Sequence, residues 1–356
     1  MAKRRPAVVH GVLAIDKPIG PTSRHVVNSA MRLLGERRCG HAGTLDPDAS
    51  GVLIVCFGDA TPASRWLMAA PKRYVAEVRF GFETTTDDAE GTPTHVAAAL
   101  DLDDTAVVDA LRLAGDDVQA RYVAQRPPDV SALKREGVRD YERVRRGEII
   151  ERQARSVWQG SIELLDASGD VARFRLDVGS GYYVRAWARD LGRRVGSAAH
   201  LVGLRRTFCG GVAADAATTL EALAALELQA RIDALLPVAA ALGRVLPTLR
   251  LSDEALLLAL SQGKRPRVDA ELLTAATTPP TPAIAADEDA EADRAFLVCD
   301  GADAPIAVVS VHPTPDDEDV SGSTPDMRQS DGEGLSLRVV RGFVHELGAA
   351  PPAEET

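Results

Sequence analysis

The chain has 356 residues, 45% apolar and 26% charged, which suits a globular protein with room for two domains at ~150 residues each. No apolar run reaches the ~18 residues of a membrane helix, and the four scattered cysteines, Cys39, Cys56, Cys209 and Cys299, contain no CxxC pair, so no membrane span, zinc site or disulfide framework is expected. The net charge of −11 is uneven: residues 1–217 hold 31 Lys+Arg against 28 Asp+Glu and the remainder 10 against 24, leaving a mildly basic first part and an acidic tail.

The start, MAKRRPAVVHGVLAIDKP, has a basic head, but His10, Gly11 and Asp16 interrupt its apolar stretch and no small-x-small site follows. It reads as the N-terminus of a cytoplasmic chain. Residues 11–16 form a short strand ending at Lys17-Pro18. A helix follows, with Ser23 as its cap, an apolar stripe of Val26, Val27, Ala30, Met31, Leu33 and Leu34, and Gly35 as its stop. The continuous apolar run 52–57 suits a buried strand. In 73–80 and 171–178 apolar residues alternate, so one face of each strand is buried. Helices are expected over 104–114, 183–195 and 217–242. Strands and helices alternate without a regular βαβ beat, which predicts an α+β fold with a mixed, largely antiparallel sheet and packed helices.

The expected boundary lies near residue 245, giving a first domain over 1–245 and a small β module over 246–356. The module has a short helix at 251–261, a turn at 262–266 and strands at 296–299, 305–311 and 335–343. Segments 273–294 and 313–334, rich in Thr, Pro, Ala, Ser and acids, are expected to be disordered loops.

Four stretches could carry chemistry. In 40–51, GHAGTLDPDASG, glycines surround Asp46-Pro47, and the residue before a proline is driven to extended backbone. That displays a carboxylate able to act as nucleophile or general base, although the same cluster also marks an ordinary Asp-Pro turn. His41 beside it could stack on a base or fill a gap. In 180–192, SGYYVRAWARDLG, Arg185 follows a strand, and an arginine near a carboxylate keeps it charged and oriented; the alternative is a solvated arginine. In 72–91, KRYVAEVRFGFETTTDDAEG, Tyr74 offers a flat ring and the Thr/Asp-rich loop offers hydroxyls and acceptors; the alternative for Tyr74 is a core aromatic. In 125–135, QRPPDVSALKR, a proline-stiffened segment leads into a basic helix start with Arg126, Lys134 and Arg135, suited to phosphate.

Together these stretches resemble the TruB-type tRNA pseudouridine synthases. GVLAIDKPIGPTS is similar to that family's opening motif and GHAGTLDPDASG to its catalytic loop. KRYVAEVRFGFETTTDDAEG, QRPPDVSALKREGVRDYERVRRG and SGYYVRAWARDLG with HLVGLRR follow in the family's order over residues 10–210. The resemblance implies the pseudouridine synthase fold with a PUA-like C-terminal module, and isomerisation of uridine 55 in the TΨC arm of tRNA on a flipped-out nucleotide. It implies a monomer with no cofactor and no metal. It makes Asp46 the catalytic aspartate, Tyr74 the ring that stacks on uracil, and Arg185 the partner of Asp46. His41 would support the flipped nucleotide, Asp88 (with Asp87 beside it) would be the acid of the Thr-rich loop, and Tyr183 and Leu204 would line the pocket. Tyr182 stands where the family usually has Thr, and Asp48 where an apolar residue is common. Two further readings are a hydrolase using Asp46 with Asp48 as paired carboxylates, and a non-catalytic RNA-binding protein that keeps the fold.

Overall fold

The computed structural model describes residues 7–115, 117, 120–128, 153–279, 295–313 and 335–343, with backbone alone at 134–135, 138–139 and 313. It divides into two compact units, the first running to Leu235 and the second beginning at Leu236. Leu235 packs with Val26, Val27 and Leu223 in the first unit's core.

The first unit is built on one mixed sheet. Its elements are β1 (Gly11–Lys17), α1 (Ser23–Leu34), β2 (Cys39–His41), β3 (Ala49–Phe57), α2 (Ser64–Ala69) and β4 (Lys72–Phe80). Next come the ribbon β5 (Phe82–Thr84) and β6 (Pro93–Val96), α3 (Thr105–Gly115), β7 (Arg121–Gln125), β8 (Lys134–Arg135) and β9 (Val138–Arg139). The last are β10 (Arg155–Ser168), β11 (Val171–Val178), α4 (Val184–Arg194), β12 (Ala199–Cys209), β13 (Val212–Ala213), α5 (Leu220–Ala225) and α6 (Leu228–Asp233). The strand order is β1-β3-β12-β4-β11-β10-β7, with β2 on β3 and β13 on β12. Every pairing in that sheet is antiparallel except β3 with β12.

The alternating strands behave as their patterns require. Tyr74, Ala76, Val78 and Phe80 of β4 and Ala172, Phe174, Leu176 and Val178 of β11 are buried, and α4 covers them with Val184, Trp187, Ala188 and Leu191. The Phe174 and Trp187 rings meet edge to face at 5.0 Å, a favoured aromatic geometry. Helix α1 buries Val26, Val27, Ala30 and Leu34 against Leu13, Ile15, Leu53, Val55 and Phe57.

Four expectations need correction. The cap of α1 is Thr22, whose hydroxyl accepts the His25 N–H; Ser23 is buried and bonds elsewhere. The stretch 217–242 holds separate short helices, because Glu227 and Pro237 adopt extended backbone between them. Lys134-Arg135 is a two-residue strand paired with Val138-Arg139, where a helix start was expected; residues 129–133 lie outside the described residues. The segment 273–294 begins in ordered structure, since Thr277 exchanges backbone hydrogen bonds with Thr248. Its remainder, 280–294, and 314–334 lie outside the described residues.

The second unit contains α7 (Val238–Leu242), β14 (Thr248–Arg250), α8 (Glu254–Ser261), β15 (Arg267–Val268), α9 (Ala270–Thr274), β16 (Ala295–Cys299), β17 (Pro305–Pro313) and β18 (Leu335–Gly342). Its sheet runs β14-β16-β17-β18-β15. Leu257 and Leu260 of α8 close a core with Val298, Ile306, Val309 and Leu337. This is the small PUA-like β module. Among the described residues no helix is long and apolar enough to cross a membrane.

Candidate active site

The parallel pairing of β3 with β12 builds the site. It sets Leu204 opposite Ala49 and Arg206 opposite Gly51, while on its other edge β12 sets Leu204 opposite Ala76 and Arg206 opposite Tyr74. The loop 42–48 enters β3 at this point, so the strand order delivers Asp46 to the neighbourhood of Tyr74. Gly51 has φ of 107°, and a Cβ there would stand 2.1 Å from the Arg206 carbonyl oxygen. Only glycine lets the two backbones approach so closely.

Three buried polar side chains hold the loop from beneath. Ser23 Oγ donates to the Leu45 carbonyl and accepts the Leu45 N–H, both at 2.8 Å. Lys17 Nζ donates to the carbonyls of Pro18, Pro21 and Pro47, and the Gly20 N–H adds a bond to Pro47 O. Arg206, 1% exposed, donates to Val52 O at 2.7 Å, Gly43 O at 3.1 Å and Thr44 O at 3.4 Å. Buried donors of this kind persist because each has an acceptor. Burial lowers the Lys17 ammonium, with Asp46 and Asp48 opposing.

On this platform Asp46 projects a carboxylate whose side chain is 50% exposed, and Arg185 Nη2 stands 3.3 Å from its Oδ2. The Arg185 side chain is only 12% exposed; its Nη1 donates to Asp88 Oδ2 and to Thr86 O, both at 3.0 Å. Thr86 in turn hydrogen-bonds Asp88. Arg185 thus joins Asp46, Asp88 and α4. Of the two adjacent acids, Asp88 is the one at Arg185; Asp87 meets Arg189.

Tyr74 lies against this group. Burial pushes its hydroxyl up, Arg206 opposes that shift and the Asp46 charge adds to it. The ring itself is buried, 8% exposed, in the cluster that holds Leu45 and Ala49. Leu204 packs on the cluster that contains Leu45, Ala49 and Tyr74. Tyr183 precedes α4 and is held through its backbone, its N–H to Gln125 Oε1 at 2.8 Å and its carbonyl from Gln125 Nε2 at 3.0 Å. His41 lies on the outer strand β2, opposite Val55. Tyr182 faces the core and donates to Gln159 Oε1 at 2.8 Å. The neighbouring Asp48 raises the Glu90 carboxyl. Among the described residues no group of three or more His, Cys, Asp or Glu is arranged to hold a metal.

Sequence reading missed Lys17, Ser23 and Arg206 as supports of the loop. Arg206 had a signal: Leu204 and Arg206 are two apart on a strand, so both face the side that Leu204 buries, while Arg205 turns outward to a bidentate pair with Asp16.

The model of the "TruB family pseudouridylate synthase (N terminal domain)" matches residues 31–184. The chain is 45% identical over 244 residues to a tRNA pseudouridine synthase B of Aromatoleum aromaticum, covering 68% of this chain and 77% of that relative. It is 43% identical over 262 residues to one of Cupriavidus metallidurans, covering 72% and 80%. Among solved structures, a Cbf5-Nop10-Gar1 complex aligns with a TM-score of 0.63 at 24% identity over 94% of this chain and 85% of that one, which is a likeness of fold. Two relatives above 40% identity, each covered over three quarters of its length or more, establish that this chain belongs to the TruB family of pseudouridylate synthases.

Proposed function

We propose that the protein is a tRNA pseudouridine synthase acting on uridine 55 of the TΨC arm, with Asp46 as its catalytic carboxylate. The observation that carries this reading is the Asp46–Arg185–Asp88 chain of ion pairs, with the 3.3 Å contact at its exposed end. The reaction breaks the bond from ribose C1′ to uracil N1, turns the base, and joins C1′ to C5. N1 gains a proton and C5 loses one, so composition is unchanged and no oxidant or nucleotide cofactor is called for.

A uridine in a folded arm must leave its stack, at a cost of a few kcal/mol. Tyr74 offsets this by stacking on the extruded uracil. Leu204 and Tyr183 wall the base, and His41 supports the nucleotide from the outer strand. Asp46, oriented by Arg185, acts on the target nucleotide. Asp88 shares the Arg185 guanidinium, which fixes its second nitrogen and leaves one edge for Asp46. Arg makes 36 of the 41 cationic residues, and the forked guanidinium suits phosphate. The family resemblance implies a monomer, and a tRNA substrate puts its work in the cytoplasm.

The test is Asp46→Asn on an unmodified tRNA transcript, with chemical mapping of pseudouridine. The expected outcome is no product with RNA affinity within about threefold of the parent, since the amide keeps the shape and loses the charge. Product at a near-parental rate refutes the assignment.

A further inference from the structure

Helix α4 presents Arg185, Arg189 and Arg193 at intervals of four. They lie on one stripe, with successive positions ~6 Å apart along the axis. Each meets an acid of the segment 83–88: Arg185 meets Asp88, Arg189 meets Asp87 at 2.7 Å, and Arg193 meets Glu83 through Nε and Nη2, both at 2.6 Å. The acids run backwards as the arginines run forwards. The middle rung is the buried one, with side chains 6% and 9% exposed, while Arg193 is 52% exposed.

The middle rung also sits on unusual backbone. Asp87 has φ of 59°, the left-handed region that Asp and Asn tolerate better than other side chains. The turn is pinned on two sides. The Asp87 carbonyl accepts the Leu201 N–H of β12 at 3.1 Å, and the Asp87 carboxylate is gripped by Arg189. Arg189 itself donates to the Arg126 carbonyl at 3.1 Å and to Asp190 at 2.9 Å, so its guanidinium has one available orientation. Two adjacent carboxylates therefore serve two adjacent arginines, and the left-handed residue between them decides which goes where.

We propose that Asp87 and Arg189 are positioning residues: their buried pair locks the left-handed turn so that Asp88 meets Arg185, and through Arg185 it holds the guanidinium against Asp46. Neither touches substrate. This rests on the reading that Asp46 carries the reaction. It differs from a merely structural role because the effect must pass through Asp88.

A double-mutant cycle tests it, using single-turnover rates on the tRNA transcript, RNA affinity and thermal unfolding. Asp87→Asn keeps the shape and the tolerance of left-handed backbone but loses the charge. It is expected to lower the rate on the order of 10- to 100-fold, the effect of a small misplacement of reacting groups, with RNA affinity within about threefold. In an Asp88→Asn background the same substitution is expected to cost less than about threefold more, because the path is already cut. Arg189→Lys, which keeps a charge on Asp87, is expected to recover most of the rate lost in Arg189→Met. Equal losses from Asp87→Asn in both backgrounds, an unchanged rate in the single variant, or a loss of affinity that matches the loss of rate would each overturn the proposal. An Asp46→Asn variant measured alongside separates the two failures: if it retains activity the functional reading falls, and if it is inactive while Asp87→Asn is unaffected only the positioning role falls.

Discussion

Replacing Ser23 with alanine separates two roles that the sequence leaves equivalent. A capping serine at a helix N-terminus contributes ~1 kcal/mol, and its loss leaves distant chemistry alone. In the structure the cap is Thr22, and the Ser23 hydroxyl instead closes a two-bond clamp on the backbone of Leu45, the residue before Asp46. Ser23 and Leu45 are both 3% exposed, so water does not replace the lost hydroxyl. With the hydroxyl gone, a buried N–H and C=O are left unsatisfied at ~1–3 kcal/mol each. Partial relaxation of the loop recovers part of this, giving an expected loss of ~2–4 kcal/mol. That same relaxation moves Asp46 relative to Arg185, and a shift approaching 1 Å costs as much as ~100-fold in rate. Urea unfolding and single-turnover kinetics on a tRNA transcript measure the two effects. Thr22→Ala is the control, expected to lose ~1 kcal/mol with the rate unchanged. A Ser23→Ala variant that loses no more stability than Thr22→Ala and keeps its rate refutes the clamp.

Two further predictions concern the framework. Gly51→Ala is expected to abolish folding or cost more than ~4 kcal/mol, because its Cβ meets the Arg206 carbonyl at 2.1 Å on left-handed backbone. Gly35→Ala, also left-handed but with nothing within 4 Å, is expected to cost only ~1 kcal/mol; equal thermal shifts in the two would contradict the close-approach argument. Lys72, 6% exposed, has its ammonium pushed down to about 8 by burial, from an ordinary 10.5. Below about pH 8 both folded and unfolded chains hold this proton and the burial cost is present in full. Between pH 8 and 10.5 only the unfolded chain holds it, so stability rises with pH, by ~3 kcal/mol over the window. Lys72→Met is expected to remove that rise from the stability–pH curve, and parallel curves for parent and variant would refute it.

Most of the fold was legible because it depends on local patterns. Alternation in 73–80 and 171–178 placed one face of β4 and β11 in the core, and the apolar stripe of α1 with Gly35 marked a helix that the structure ends at a left-handed glycine. The short α5, α6 and α7 were not legible, since an alanine-rich stretch has the same helical pattern whether or not extended residues interrupt it. The site divides in the same way. Asp46, Tyr74, Asp88 and Arg185 stand in recognisable motifs, and the ambiguity between Asp87 and Asp88 could not be resolved from adjacent letters.

What the sequence alone determined was the inventory: a carboxylate on a glycine-flanked loop, an aromatic on an alternating strand, an arginine at the head of a helix, and a family resemblance. What only the tertiary structure decided was the pairing. The parallel contact of β3 with β12 joins residues near 50 to residues near 205, and the guanidinium of Arg185 meets acids nearly 100 and more than 130 positions earlier in the chain. Such contacts depend on strand order and on which buried charge finds which partner. These are properties of the whole sheet and its packed helix, and no local window of residues encodes them.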